Sequence, residues 1–267
     1  MNLSESAVVL RPRSVSQTID LSLRVVFSLG LGLYARLAAL TLLPALGLLL
    51  LLRYAAGLDA WLVWLAALVL AVVLEGPFTI AASRLMFREQ LTGRAALRAF
   101  GGRALSFVGA SLYKSLLLAL ASIPFFIPLL VVGPHAVFVP EASILERAGP
   151  TEAWARSKRL VMARSGGAMA ALVSWLLIRV VCVLGAELLM QGIISDLFML
   201  GAPLGRLSSD GVTPYALAGL LLSTPLVATA RFLQYIDART RGDGWDIQVR
   251  FMAIAAREGH KHSEAEA

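Results

Sequence analysis

Cysteine and histidine are scarce in this 267-residue chain, which holds one cysteine and three histidines. The single cysteine, Cys182, excludes a disulfide within the chain and leaves no cysteine cluster for a metal ion. A metal hydrolase needs several converging His, Asp or Glu ligands, whereas the only histidines are His135, His260 and His262. We therefore expect neither a metal site nor a cofactor.

Motifs of the common catalytic and nucleotide-binding sites are also missing. The sequence has no nucleophile elbow, Walker loop, Rossmann fingerprint or Cys-x-x-Cys pair. We expect no enzymatic activity and name no catalytic residue. The net charge of +7 does not point to nucleic acid, because the basic residues are spread over the flanks of apolar segments and form no single patch interleaved with aromatics.

Charged residues make up only 15% of the chain, and hydrophobic residues make up 58%. The long apolar runs leave too few polar residues for a separate soluble domain. The composition predicts an all-α integral membrane protein, with one membrane domain over residues 1–258 and a disordered charged tail over 259–267. Residues 1–20 are too polar for a cleaved signal peptide, so the first apolar run is expected to serve as the targeting signal.

Six segments match the ~20 mostly apolar residues that a membrane-spanning helix needs. The pattern predicts six transmembrane helices arranged as three hairpins. Two positions remain open for the turn between the third and fourth spans, namely Ser122–Pro128 and Gly133–His135. The predicted spans are Leu33–Leu52, Trp61–Ser83, two spans within Leu105–Leu145, Ala168–Gly192 and Tyr215–Leu233.

The distribution of positive charge predicts the orientation. Of 24 Lys and Arg residues, only Arg53 and Arg206 fall in loops that we place outside. By the positive-inside rule both termini are therefore cytoplasmic. The excess of arginine over lysine is typical of a GC-rich bacterial genome, so we expect the membrane to be a bacterial inner membrane. Arginines near the inner surface attract anionic lipid headgroups by ~1 kcal/mol each. The expected partners are a bilayer with anionic lipids and, as a second class, other membrane proteins.

Four amphipathic segments alternate with the hairpins and are too short and too charged to span. They are predicted to be elbow helices in the cytoplasmic interface. The first begins at Ser14, which forms a capping box with Gln17, and the second follows Gly93. In the last segment, after Gly242, apolar and polar residues alternate with the period of a β-strand. We favour a helix only because a lone strand would leave its backbone hydrogen-bonding groups unpaired.

The third elbow begins at Gly149-Pro150, with proline at the first helical position. Trp154 and Ser157 belong to its apolar stripe, and Arg159 lies on the opposite face. These three residues are the candidate interfacial site. The elbow either anchors the hairpins or provides a docking surface for the membrane segment of a partner.

The region around this elbow resembles a known pattern. An acidic residue and a glycine-rich turn lead into an amphipathic helix of the form Ala-Leu-x-x-Ser-x-x-Leu, with Trp154 here in place of the leucine. The chain resembles the six-span bacterial membrane domain that is fused in some proteins to a glycerophosphodiester phosphodiesterase and stands alone in others. The resemblance implies a six-span fold and carries over no catalytic residue. The residues that match are Glu146, Gly149, Ala153, Ser157 and Leu160.

Ionisable residues within the predicted spans form the candidate intramembrane site, namely Glu75, Lys114, Arg179 and Glu187. A charge near the bilayer centre costs ~2.5 to 3.5 kcal/mol. We therefore expect these side chains to face the bundle interior, where Glu75 or Glu187 pairs with Arg179 or Lys114. If the third span starts later than predicted, Lys114 instead extends to the interface.

Two functions are compatible with such a network. In the first, the polar residues hold the helices together, and the protein is a non-enzymatic accessory or scaffold subunit of a membrane assembly or lipid-linked process. In the second, it is a small transporter or lipid-handling carrier, in which Arg179 and Lys114 bind an anionic group and Glu75 or Glu187 gates protonation. A role in shaping membrane curvature also remains open.

Overall fold

The computed structural model describes residues 13–86, 91–123, 127–162 and 165–242, and within these ranges every regular element is helical. Six of the helical segments are long and apolar enough to cross a membrane, which confirms the prediction of a multi-pass helical membrane protein. Their bounds are Leu31–Ala55, Ala60–Met86, Ala104–Ser122, Leu129–Glu146, Gly166–Leu197 and Pro214–Arg241.

We number the described α-helices in chain order. Segments of π-helix at Val25–Leu29, Leu51–Ala55 and Gly192–Leu197 adjoin the first, second and ninth of them. The α-helices are α1 (Val15–Arg24), α2 (Leu31–Leu50), α3 (Ala60–Met86), α4 (Gly93–Gly101), α5 (Ala104–Ser122), α6 (Leu129–His135), α7 (Val139–Glu146), α8 (Pro150–Met162), α9 (Ser165–Gln191), α10 (Leu207–Asp210) and α11 (Pro214–Gly242).

Helix α11 is the centre of the bundle and packs against α9, α3, α2 and α1. A Cβ atom at Gly219 would collide with the carbonyl oxygen of Cys182, so the α11 and α9 backbones are in direct contact. Small residues allow such close approach between membrane helices. Cys182 therefore lies at a contact between two helices. On the α2 side, the Tyr34 hydroxyl lies 2.7 Å from Thr229 Oγ1.

The fourth span is a discontinuous helix. Helix α5 ends at Ser122 and α6 begins at Leu129, so the turn falls in the first of the two predicted positions, and Gly133–His135 belong to α6. The helix is then interrupted at residues 136–138, before α7 begins at Val139. The sequence analysis treated this span as continuous.

Ser157 of α8 forms hydrogen bonds with backbone groups at the interruption. Its hydroxyl donates to the carbonyl oxygen of His135 at 2.6 Å and accepts from the N–H of Phe138 at 3.0 Å. Backbone groups that lack partners in a bilayer cost several kcal/mol each. The serine of the predicted elbow site therefore stabilises the break in the fourth span.

Three short helices, α1, α4 and α8, occupy the positions of the first three predicted elbows. The predicted capping box is present, since Ser14 Oγ accepts from the Gln17 N–H at 3.3 Å and Gln17 Oε1 accepts from the Ser14 N–H at 3.2 Å. Helix α8 begins at Pro150, as predicted. Their location in the membrane interface, the grouping of the spans into three hairpins and the orientation of the termini stay predictions. The fourth elbow and the charged tail lie outside the described residues.

Candidate functional site

Five membrane helices each contribute one ionisable side chain to the interior of the bundle. We call this group the charge cluster. It consists of Glu75 on α3, Lys114 on α5, Glu141 on α7, Arg179 on α9 and Arg231 on α11.

Four members of the charge cluster form a chain of ion pairs. Arg231 lies between the two carboxylates: its Nη1 is 2.6 Å from Glu75 Oε2, and its Nε donates to Glu141 Oε1. Arg179 Nη2 donates to the other oxygen of Glu75. The side chains of Glu75, Glu141 and Arg231 are at most 6% exposed, and that of Arg179 is 17% exposed. The charges are thus neutralised mainly by one another.

Lys114 is the unpaired member of the cluster. It is close enough to interact electrostatically with the other four charges, yet within the described part of the chain its ammonium forms no ion pair. With all five groups ionised, three cations face two carboxylates. The cluster therefore carries one excess positive charge.

Several buried polar atoms of the cluster have no hydrogen-bond partner among the described residues. They are Glu75 Oε2, which has only its ion pair with Arg231, Glu141 Oε2, Arg179 Nη1 and Arg231 Nη2, together with the hydroxyl of Ser111, which lies one turn before Lys114 on α5. Buried polar groups in folded proteins are nearly always satisfied. Unused donors on two different helices therefore converge on one region of the interior.

Neighbouring residues and helix ends explain the positions of the two carboxylates of the cluster, Glu75 and Glu141. Gly76 follows Glu75, and a Cβ atom there would collide with the ring of Phe100, so glycine allows α4 to pack directly beside the cluster. The break before α7 puts Glu141 in the first turn of a new helix, where the positive end of the helix dipole favours a carboxylate. Arg103 Nη1 donates to the carbonyl oxygen of Ile144 at 2.9 Å and satisfies the other end of α7.

The structure brings together three of the four predicted residues and separates the fourth. Glu187 is two helical turns beyond Arg179 on α9, a rise of ~12 Å. It accepts from the Leu207 N–H at 3.0 Å and from the Thr213 hydroxyl. Glu187 therefore organises the connection between α9 and α11 and pairs with neither Arg179 nor Lys114, whereas the pair of Glu75 with Arg179, one of those expected, is present.

Sequence reasoning missed Glu141 and Arg231, although both lie in predicted spans. The cost of an intramembrane charge applies to them as it does to Glu75. Arg231 lies only two residues from the predicted end of the sixth span, where an arginine resembles an ordinary flanking charge. Glu141 lies in the pair of spans whose turn was left open.

The predicted elbow residues have separate roles. The Trp154 ring packs edge-to-face on Tyr113 of α5, with centroids 6.5 Å apart, Ser157 closes the helix break, and Arg159 is exposed. The arginine that docks α8 is instead Arg156. Hydrogen bonds to Glu152 and Glu146 raise the pKa of its guanidinium.

Glu146 connects this helix to the end of α11. Besides Arg156, it accepts from the Tyr235 hydroxyl and lies 3.2 Å from Arg239 Nη1. The acidic residue of the resemblance pattern therefore joins α7, α8 and α11.

No protein-family model matches the chain, and comparisons with curated proteins and with solved structures give no match. The resemblance to the six-span membrane domain therefore stays a prediction. Within the described ranges, no group of three or more His, Cys, Asp or Glu residues is placed to hold a metal ion.

Proposed function

We propose that the protein is a non-enzymatic carrier of the bacterial inner membrane that binds an anionic group at the charge cluster. The observation that carries the proposal is the excess positive charge of the cluster, in which the half-buried Lys114 forms no ion pair among the described residues. Carriers place ionisable side chains in the membrane interior along substrate pathways. The substrate class that fits is a small anion with several oxygen acceptors, such as a phosphate or a carboxylate.

In a polar network that only holds helices together, every polar atom is expected to have a hydrogen-bond partner, because each unpaired polar atom in a low-dielectric interior is costly. In the charge cluster, by contrast, some hydrogen-bond donors lack partners. Arg179 Nη1 and Arg231 Nη2 have no hydrogen-bond partner in the described part of the chain. The planar donor fork of arginine suits phosphate and carboxylate oxygens, so one anion would both neutralise Lys114 and use these donors.

The discontinuous fourth span supports the same proposal. Interrupted helices commonly form the substrate sites of secondary transporters, where non-helical backbone lines a polar region. Here the break at residues 136–138 lies one turn before Glu141. A change at this break would move Glu141 relative to Arg231, and with it the site.

Lys114→Gln is the sharpest test, because the lysine forms no ion pair in the described structure and its loss leaves Glu75 with both of its arginines. We expect purified wild-type protein in lipid nanodiscs to bind inorganic phosphate, and the variant to bind at least tenfold more weakly with an unchanged thermal midpoint. Lys158→Gln, an exposed lysine on α8, is the matched control. Equal phosphate binding by all three proteins, or none by the wild type, would refute the proposal.

An accessory or scaffold subunit is the second candidate. After α9 the chain exposes four consecutive apolar residues at 62% to 86% of their surface, Leu197, Phe198, Met199 and Leu200. Contiguous apolar surface of this kind suits contact with another membrane protein. A stoichiometric second polypeptide that co-purifies in native lipid and is lost in Phe198→Asp would favour this function.

A further inference from the structure

A cavity of about 280 Å³ lies between α1, α8, α9 and the last turns of α11. We call it the terminal cavity, because it lies where the first and last described helices meet. An apolar cavity of about 150 Å³ holds one benzene molecule, so the terminal cavity has room for roughly twice as many atoms, about 12 without hydrogens. None of the five residues of the charge cluster lines it, so it is a separate site.

Gln234 is the unexplained polar residue of the terminal cavity. It is 7% exposed, and neither its Oε1 nor its Nε2 has a hydrogen-bond partner among the described residues. Leaving a buried amide unpaired costs stability, and an apolar residue of the same size would avoid that cost. Both a donor and an acceptor are therefore available to a molecule in the cavity.

The charged groups near the end of α11 already have partners. Asp237 accepts from Arg241 Nε at 2.9 Å and from the backbone N–H of Arg13 at 2.7 Å. Arg241 Nη2 donates to the backbone carbonyl oxygen of Arg13 at 2.7 Å. Among the lining residues, the buried side-chain atoms that lack hydrogen-bond partners belong to the neutral amide of Gln234. The lining therefore suits a neutral ligand rather than an ion.

The walls that α8 and α9 contribute are apolar, and they include Val161, Ala168 and Ala171. Phe138 also lines the cavity, and its ring packs edge-to-face on Tyr235 with centroids 5.8 Å apart. A buried water needs about two to four polar partners, and apolar cavities stay dry. These walls therefore favour the hydrocarbon part of a ligand over water.

We propose that the terminal cavity binds a small neutral amphiphile, an aliphatic chain of about ten carbons that ends in a hydroxyl or a carboxamide. Such a head group both accepts and donates a hydrogen bond, so it matches Nε2 and Oε1 of Gln234. The chain packs against the apolar walls and gains the free energy of burying hydrocarbon.

Two related ligands fit less well. A plain hydrocarbon would leave the Gln234 amide unpaired. A fatty acid anion would bring a charge into a lining in which Asp237 and Arg241 already pair with each other, and burying a charge without a partner is costly. The proposal does not depend on the charge cluster, so the Lys114→Gln test and the test below fail independently.

The probes are an alcohol, a carboxylic acid and a hydrocarbon of equal chain length, each with a photoreactive diazirine in the chain. Each is titrated into phosphatidylcholine nanodiscs that hold the purified protein, and mass spectrometry identifies the labelled peptides. Competition by unlabelled 1-decanol separates labelling of the site from labelling by probe dissolved in the bilayer. We expect the alcohol to label the lining residues of the wild type saturably. The other two probes should bind about tenfold more weakly, the loss that two hydrogen bonds explain.

Gln234→Met removes both amide atoms and keeps an unbranched side chain of similar length. We expect this variant to bind the alcohol about tenfold more weakly than the wild type does and to lose the preference for the alcohol over the hydrocarbon. The thermal midpoint of the unliganded variant should be equal or higher, because the amide has no partner to lose among the described residues. A preference for the alcohol that persists in this variant would overturn the proposal.

A second pair of variants tests the cavity without changing its polar groups. Ala171→Leu fills the space, while Ala170→Leu adds the same volume at the exposed neighbouring position of α9. We expect the first variant to lose saturable labelling by the alcohol and the second to keep it. The proposal is wrong if the wild type shows no saturable labelling, if the alcohol and the hydrocarbon label it equally, or if the acid labels it most strongly.

Discussion

Helices α9 and α11 are similar in length, with 27 and 29 residues, but they occupy opposite environments. In the 18 residues that define each span, 83% are buried for α11 and 17% for α9. The more polar helix is the more buried one. Lipid tails accommodate leucine and valine as well as a protein interior does, so there is no drive to bury α9, whereas the polar side chains of α11 need partners that only protein supplies.

The comparison extends to the single arginine that each helix contributes to the charge cluster. Arg231 contacts two carboxylates, Glu75 and Glu141, while Arg179 contacts Glu75 alone. Arg179 is also the more exposed side chain. Arg231 on the central helix α11 therefore neutralises both carboxylates of the cluster, whereas Arg179 on the peripheral helix α9 adds a second ion pair to Glu75 only.

Arg231→Leu is expected to have the largest effect on stability. It leaves Glu141 with no ion-pair partner in the described structure, and breaking a buried pair costs about 3 to 5 kcal/mol. The same change at Arg179 should cost less, because Glu75 keeps Arg231. Unfolding in mixed micelles with increasing denaturant measures both variants. If Arg179→Leu proves the more destabilising, the assignment of α11 as the centre of the cluster is wrong.

Gly219→Val is the next largest change, because it forces α11 away from α9. Its side chain would meet the Cys182 carbonyl oxygen and the Ala186 Cβ, and overpacking of this kind costs about 1 to 3 kcal/mol. Gly185→Val is the matched control on α9, where an added Cβ atom meets no atom within 4 Å. The thermal midpoint should fall for the first variant and stay close to wild type for the second. Equal midpoints would argue against the close helix contact.

Glu187→Gln should have the smallest effect. The Leu207 N–H and the Thr213 hydroxyl bond to different oxygens of the carboxylate, and the amide keeps only one of these acceptors, so we expect a loss of about 1 kcal/mol, the scale of one hydrogen bond. Phosphate binding at the charge cluster should be unchanged, since Glu187 lies two turns from Arg179. The binding titration proposed for Lys114→Gln measures this directly. A tenfold loss of phosphate binding would instead place Glu187 in the site.

Several local features were predictable because neighbouring residues determine them. The capping box at Ser14, the start of α8 at Pro150 and the six apolar spans all follow from short stretches of chain. The break at residues 136–138 did not follow from its own residues. It persists because Ser157, about twenty residues later, supplies hydrogen bonds to its backbone.

The sequence by itself determined the number of spans and their helical nature, because apolar length and hydrogen-bond satisfaction in a bilayer are properties of each segment alone. It also identified Glu75, Lys114 and Arg179 as interior charges. Only the tertiary structure decided that Glu141 and Arg231 join them, that Glu187 lies elsewhere and that Gln234 lines a cavity. Those outcomes depend on the depth and rotation of each helix against its neighbours, which are set by packing between segments distant in the chain.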